Sequence, residues 1–171
     1  TLALGAMAQQ SLWGSEPIIP PEINADNSVT FRLAAPLAKQ VKLTGDFMPS
    51  EPVVVDGKQL GFSAPTQATM VRNSQGVWEY TTPEPLAPEL YCYNFVVDGL
   101  KINDPSNVYR IRDVASVFDV FIVGGERADL YQVNNIPHGT VAKVWYHSPS
   151  LGIDRRMTVY TPAGYETGNK R

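Results

Sequence analysis

The chain has 171 residues, of which 43% are hydrophobic and 18% charged, enough apolar residues to bury the core of an ordinary domain. Its 14 basic and 17 acidic residues give a net charge of −3, which argues against the clustered Lys and Arg of a nucleic-acid surface. No apolar run reaches the ~20 residues of a membrane span, and 14 prolines argue against a helical bundle.

The first eight residues look like the end of a signal peptide. They are small and apolar and finish with Ala6-Met7-Ala8 before Gln9, the pattern that signal peptidase cleaves. The chain also starts without Met, as if a longer precursor had been trimmed. We therefore expect a secreted, periplasmic or cell-surface protein; the alternative is a frayed apolar terminus.

After an N-terminal segment, residues 9–25, short alternating patterns predict strands about ten residues apart. Asp56-Gly57 and Asp98-Gly99 are hairpin turn signals. The strands are predicted at residues 29–33, 41–45, 53–55, 69–72, 77–81, 90–97, 101–102 and 117–123. This spacing predicts an all-β protein with an immunoglobulin-like β-sandwich over residues 26–123.

Alternation along the strand at 90–97 separates two sets of side chains. Tyr91, Tyr93 and Phe95 share one face, and we expect Tyr93 and Phe95 to pack in the core. Aromatic rings also stack on sugars. Tyr109 follows the loop Asp104-Pro105-Ser106-Asn107, so we expect its ring to be exposed.

The C-terminal part differs in composition. Residues 124–137 are polar and predict a linker, and strands at 140–147 and 156–161 flank a turn at Pro149 to Gly152. A lone hairpin cannot bury its own apolar faces. Residues 138–171 therefore predict the first hairpin of a further domain, and the chain looks cut there.

The sequence offers little chemistry for catalysis. The single cysteine, Cys92, excludes an internal disulfide, and no G-x-S-x-G nucleophile motif occurs. His138 and His147 have no partner at an informative spacing, so we interpret both as structural. The carboxylates that border strands could act as a pair or be turn residues; they are Asp46, Asp98, Asp104 and Asp119. We predict no catalytic residue, no metal site and no cofactor in this chain.

Four ordered segments resemble carbohydrate-binding module family 48, an early-set immunoglobulin-like domain found in glycogen-branching enzymes and the AMP-activated kinase β-subunit. The similarity covers roughly residues 26–123, and its segments are Leu43-Thr44-Gly45-Asp46-Phe47, Gly76-Val77-Trp78-Glu79-Tyr80, Tyr93-Asn94-Phe95-Val96-Val97-Asp98-Gly99 and Asn103-Asp104-Pro105-Ser106-Asn107. The family's glucan-binding Trp, Lys, Trp and Asn positions hold Ser50, Asn94, Lys101 and Phe118 here. Without the two stacking tryptophans, we do not expect α-glucan binding.

The C-terminal stretch resembles the opening hairpin of family 1 carbohydrate esterases, the feruloyl and acetyl-xylan esterases of α/β-hydrolase fold. The similarity lies in His138-Gly139-Thr140-Val141, Ser148-Pro149-Ser150-Leu151-Gly152 and residues 155–165. It implies that the catalytic elements come after this hairpin and that the parent protein is a carboxylic-ester hydrolase.

Together these resemblances predict a non-catalytic accessory module of a secreted xylan esterase. Its partners would be a plant cell-wall polysaccharide such as arabinoxylan and the missing esterase domain. The predicted carbohydrate contacts are Asn94, Lys101, Asn103 and Tyr109. The alternative is a purely structural domain that packs on the esterase domain and shapes its cleft, without affinity for glycans.

Overall fold

The computed structural model describes residues 18–113 and 115–168, and these are built almost entirely of strands. The first strands are β1 (Glu22–Ile23), β2 (Val29–Ala34), β3 (Val41–Gly45), β4 (Ser50–Val55), β5 (Lys58–Pro65), β6 (Gln67–Thr69) and β7 (Val71–Arg72). There follow β8 (Val77–Thr81), β9 (Glu89–Val97), β10 (Leu100–Ile102), β11 (Arg110–Asp113), β12 (Ser116–Val123), β13 (Thr140–Ser148) and β14 (Ile153–Thr161). A 3₁₀ helix spans Glu126–Tyr131. No helix among the described residues has the length and apolar character to cross a membrane.

The chain divides into two compact units, and the boundary along the sequence lies between Gln132 and Val133. In the first unit, one antiparallel sheet has the strand order β1-β2-β8-β7. The other has the order β11-β12-β9-β3-β6, with β10 also paired to β9. The predicted all-β sandwich is confirmed.

The core lies between the two sheets and is rich in aromatic rings. Phe31, from β2, stands edge-on to Tyr93 and Phe121 of the opposite sheet, with ring centroids 5.1 and 5.3 Å apart. Tyr93 and Phe95 are 1% and 0% exposed. Their predicted place in the core is confirmed, because alternation along β9 turns both rings to the buried face.

The chain changes sheets where the sequence pattern predicted one strand over residues 69–72. The structure has β6 in one sheet and β7 in the other. Between them Met70 is buried, and its N–H donates to the Val41 carbonyl at 2.9 Å. An alternating pattern cannot reveal such a crossing, because Met70 is buried as part of the turn between the sheets.

A separate hairpin of β4 and β5 forms its own two-stranded sheet in the first unit. Its turn residues Asp56 and Gly57 have φ of 51° and 75°, as a two-residue hairpin turn requires. Phe62 on β5 is 60% exposed, and Lys58 at the start of β5 is also exposed.

The segment predicted as a linker contains the 3₁₀ helix. Ala128 in this helix is fully buried, and Arg127 forms an ion pair with Glu89 of β9 at 2.9 Å. These contacts fasten residues 126–131 to the sandwich.

In the second unit, β13 and β14 pair over nine residues each. His147 forms a hydrogen bond with Asp154 at 3.0 Å between Nδ1 and Oδ1, and His138 contacts the Asn134 carbonyl oxygen at 2.9 Å through Nε2. The predicted strands at 140–147 and 156–161 both occur, in slightly longer form.

Candidate functional site

Along one edge, β9 changes its hydrogen-bonding partner at Asn94, and we call this point the fork of β9. Its first half pairs with β12, and this ladder ends at Tyr93 opposite Asp119. Its second half pairs with β10, and this ladder begins at Phe95 opposite Ile102. Asn94 lies between the two ladders, where β10 and β12 diverge.

A cleft of about 320 Å³ opens at this fork. Asn94 contributes from the central strand, and the two diverging segments contribute the other lining residues. The lining consists of Asn94, Lys101, Ile102, Asn103, Ser116, Val117 and Phe118.

The two asparagines of the cleft are oriented by one carbonyl oxygen. Asn94 and Asn103 both donate from Nδ2 to the Val117 oxygen, at 3.3 and 3.1 Å. Asn103 also donates to Asp119 at 3.0 Å. Asn103 Nδ2 thus donates twice and Asn94 Nδ2 once, and the amide oxygens remain as acceptors. Asn94 lines the cleft although only 3% of the residue is exposed.

The strand register places further polar side chains on the same face of the sheet, opposite to the core. Lys101 on β10 and Lys42 on β3 both pair with Val96, one from each side. Thr44 pairs with Asn94 in the next row. Neither lysine forms an ion pair with any described residue.

Behind the cleft lies a buried polar network around two carboxylates. Asp119 is fully buried and accepts from the Asp104 N–H at 2.7 Å and from Arg110 Nε at 3.1 Å. Asp104 is 1% exposed and accepts from the Tyr93 hydroxyl at 2.7 Å. Asn107 donates to the same hydroxyl oxygen at 3.0 Å. The network fixes the loop that follows β10 against β12.

Burial sets the protonation behaviour of this network. It raises the pKa of Asp104 above its ordinary value, and the hydrogen bonds from Tyr93 and the Ser106 N–H offset only part of that effect. Burial, followed by the neighbouring Asp104 charge, also raises the pKa of the Tyr93 hydroxyl. Tyr93 therefore remains a neutral hydrogen-bond donor at physiological pH.

The other two carboxylates considered from the sequence accept main-chain hydrogen bonds. Asp98 accepts from the N–H groups of Lys39 and Gln40 at 3.0 and 2.8 Å. Asp46 accepts from the Cys92 N–H at 3.0 Å, and partial burial raises the pKa of Asp46. Asp46 and Asp98 thus hold neighbouring backbone segments together.

The structure brings three of the four predicted contact residues together. Asn94, Lys101 and Asn103 line one cleft. Tyr109 does not line it; its ring is 64% exposed, as expected, on the segment before β11. Phe118 was not predicted as a contact. The signal that could have found it was the family resemblance, which aligns Phe118 with a glucan-binding position.

The lining has a definite chemical character. Amide oxygens accept from hydroxyl groups, an ammonium donates to oxygen atoms, and the Phe118 ring offers an apolar surface. Such a combination suits a ligand with many hydroxyl groups and apolar C–H faces.

No protein-family model matches the chain. Over 145 residues, 85% of the chain, it is 26% identical to an endo-1,4-beta-xylanase/feruloyl esterase from Xylanibacter ruminicola. The match covers 18% of that relative, so the chain corresponds to a small part of it.

Among solved structures, the chain is similar to part of two pullulanases. For the Group B Streptococcus pullulanase SAP in complex with maltotetraose, the identity is 17%, the TM-score 0.43, and the match covers 64% of this chain and 15% of that one. For a pullulanase from Anoxybacillus sp. LM18-11 complexed with maltotriose, the values are 19%, 0.43, 75% and 16%.

Proposed function

We propose that the sandwich is a non-catalytic accessory module that binds plant cell-wall polysaccharide weakly, through the cleft at the fork of β9. The observation that carries this proposal is the convergence of Asn94, Lys101 and Asn103 with Phe118 in one cleft. A sugar ring would lie on Phe118 while its hydroxyl groups donate to the two amide oxygens. Tyr109 would be a peripheral contact.

The wider role of the module follows from its relative. We propose that the parent protein is a secreted or cell-surface carboxylic-ester hydrolase acting on xylan, because the Xylanibacter relative is named a xylanase and feruloyl esterase. Residues 138–171 would begin its esterase domain. A weak sugar contact then raises the effective concentration of the neighbouring active site on the polymer.

The test is retention of the whole chain on insoluble arabinoxylan, with amylose and cellulose as comparison polymers. We expect retention on arabinoxylan. Phe118→Ala should weaken it about tenfold, since an aromatic contact at the centre of a small site carries much of the binding energy. The matched control is Phe62→Ala, which removes another ring from the same unit, 60% exposed on β5, and should bind like the wild type.

A structural role is the alternative, and one observation favours it. Trp78, the one tryptophan among the described residues of the first unit, is 7% exposed in the core, with its Nε1–H donating to the Ala35 carbonyl at 2.9 Å. The cleft therefore has no indole face for sugar stacking. Passage of the wild type through all three polymers would overturn the binding proposal and support a domain that packs on its catalytic neighbour.

A further inference from the structure

We propose that the cleft recognises an acidic sugar, a uronic acid side group on the polysaccharide, whose carboxylate binds between Lys42 and Lys101. This inference rests on the proposed function and names the ligand class of the same site. It arises from the charge pattern beside the cleft, which binding of a neutral sugar does not require.

The two lysines form a pair across the sheet. Lys42 and Lys101 flank Val96 from opposite sides, so their Cα atoms lie two strand spacings apart, roughly 10 Å. Their side chains project from the same face and are long enough for both ammonium groups to reach one anion between them. Neither has an acidic partner among the described residues.

The sugar ring would lie beside this lysine pair, on the residues of β9 and β12 that share its face. Asn94 lies two residues from Val96 along β9, roughly 7 Å away. Phe118 is the next residue of β12 beyond the Asp119–Tyr93 pair, on the same face as Asn94. A pyranose ring over Phe118 and Asn94 would thus direct its carboxylate towards the lysine row.

The local charge differs from that of the whole chain. The net charge is −3, so general electrostatics would repel an acidic polymer. Among the described strand residues of this sheet, the register places one acidic residue on this face, Asp113, opposite Ser116 on β12. Local attraction for a carboxylate would come from the ammonium groups of Lys42 and Lys101.

The experiment is affinity electrophoresis of the whole chain in gels containing glucuronoxylan or the same polymer with its carboxyl groups reduced to alcohols. We expect the acidic polymer to retard the wild type about threefold more strongly at low salt, the range of a solvent-exposed ion pair. The Lys42→Gln variant should lose most of this preference and, because Lys42 does not line the cleft, should still be retarded by the reduced polymer. Lys58→Gln, at an exposed site on β5, is the charge-matched control and should keep the preference.

Each remaining outcome counts against a stated claim. Equal retardation of the wild type by both polymers overturns the inference and leaves the proposed sugar binding intact. A preference that persists undiminished in Lys42→Gln, or disappears in Lys58→Gln, also overturns it, because the attraction then comes from elsewhere. Retardation by neither polymer overturns the inference and the proposed function together.

Discussion

Asn94 and Asn103 belong to different segments of the sheet, yet both amide nitrogens donate to the same carbonyl oxygen, that of Val117. This shared acceptor joins the floor of the cleft to both of its walls. The positions of its floor and walls are therefore fixed by hydrogen bonds inside the protein, and its polar side chains are oriented before any ligand arrives.

The buried carboxylate of Asp119 should be critical for stability. Asp119→Ala leaves the Asp104 N–H without its acceptor and Arg110 without its ion-pair partner, so we expect a loss of about 3 kcal/mol in the free energy of unfolding. Asp113→Ala, at an exposed site one register step from the cleft wall, should change it by less than about 0.5 kcal/mol. Urea denaturation measures both, and equal effects would contradict the role given to Asp119.

Asp104 should make stability depend on pH. Burial raises its pKa above the ordinary 3.8. At a pH between the unfolded-state and folded-state pKa, the folded protein therefore holds a proton that the unfolded chain releases. Stability from this group is present at acid pH and is lost as pH rises through the folded-state pKa. The stability advantage of wild type over Asp104→Asn should accordingly shrink as the pH rises above the ordinary pKa of 3.8 and through the higher folded-state pKa, measured in urea melts. A constant difference would mean that the two states titrate alike.

Gly76 occupies a position that only glycine fits. Its φ is +81°, and an added Cβ would lie 2.7 Å from Pro36 Cβ and 2.8 Å from Pro36 Cα. Gly76→Ala should lower the free energy of unfolding by about 2 kcal/mol. Gly61→Ala, where nothing lies within 4 Å of the new Cβ, should cost less than about 0.5 kcal/mol. Thermal unfolding measures both variants, and equal decreases in their midpoints would contradict the steric role given to Gly76.

The C-terminal limit of the sandwich should lie beyond the 3₁₀ helix. A chain ending at Gln132 retains the buried Ala128 and the ion pair of Arg127 with Glu89. One ending at Gly125 loses both, and we expect it to fold but to be less stable by about 1 kcal/mol. Denaturation midpoints of the two chains decide the matter; identical values would show that the helix contributes nothing.

Tyr109 should report whether ligand contacts extend past the cleft. Because its ring is 64% exposed, Tyr109→Ala should leave the melting temperature unchanged. Retention on arabinoxylan should fall by less than it does for Phe118→Ala, since rim contacts carry little binding energy. A loss as large as that of Phe118→Ala would move the centre of the site to this loop.

Strands with clear alternation were predictable from the sequence. Residues 77–81 coincide with β8, because polar and apolar side chains alternate across a half-buried sheet. The strand β5 was missed, since Gly61 and a terminal proline obscure its pattern and most of its side chains are exposed. The strand β11 was missed because three of its four residues, Arg110, Arg112 and Asp113, are charged.

The candidate site was only partly accessible from the sequence. The resemblance located Asn94, Lys101 and Asn103, but spacing could not show that β9 forks between them. The lone charge in the apolar run Val117 to Val123 was a usable signal for a buried network, since a buried carboxylate needs partners. The pairing of Lys42 with Lys101 across Val96 depends on the strand register, which no local pattern encodes.

Because β9 pairs with β12 up to Tyr93 and with β10 from Phe95 onward, the hairpin of β9 and β10, closed by a short turn, forms one wall of the cleft. Asp98 and Gly99 form that turn with φ of 47° and 91°, and no heavy atom lies within 4 Å of a Cβ added at Gly99. Exchanging residues of β10 and of this turn would therefore change that wall without repacking the interior. The surface beside the fork and the sandwich core can thus be varied separately.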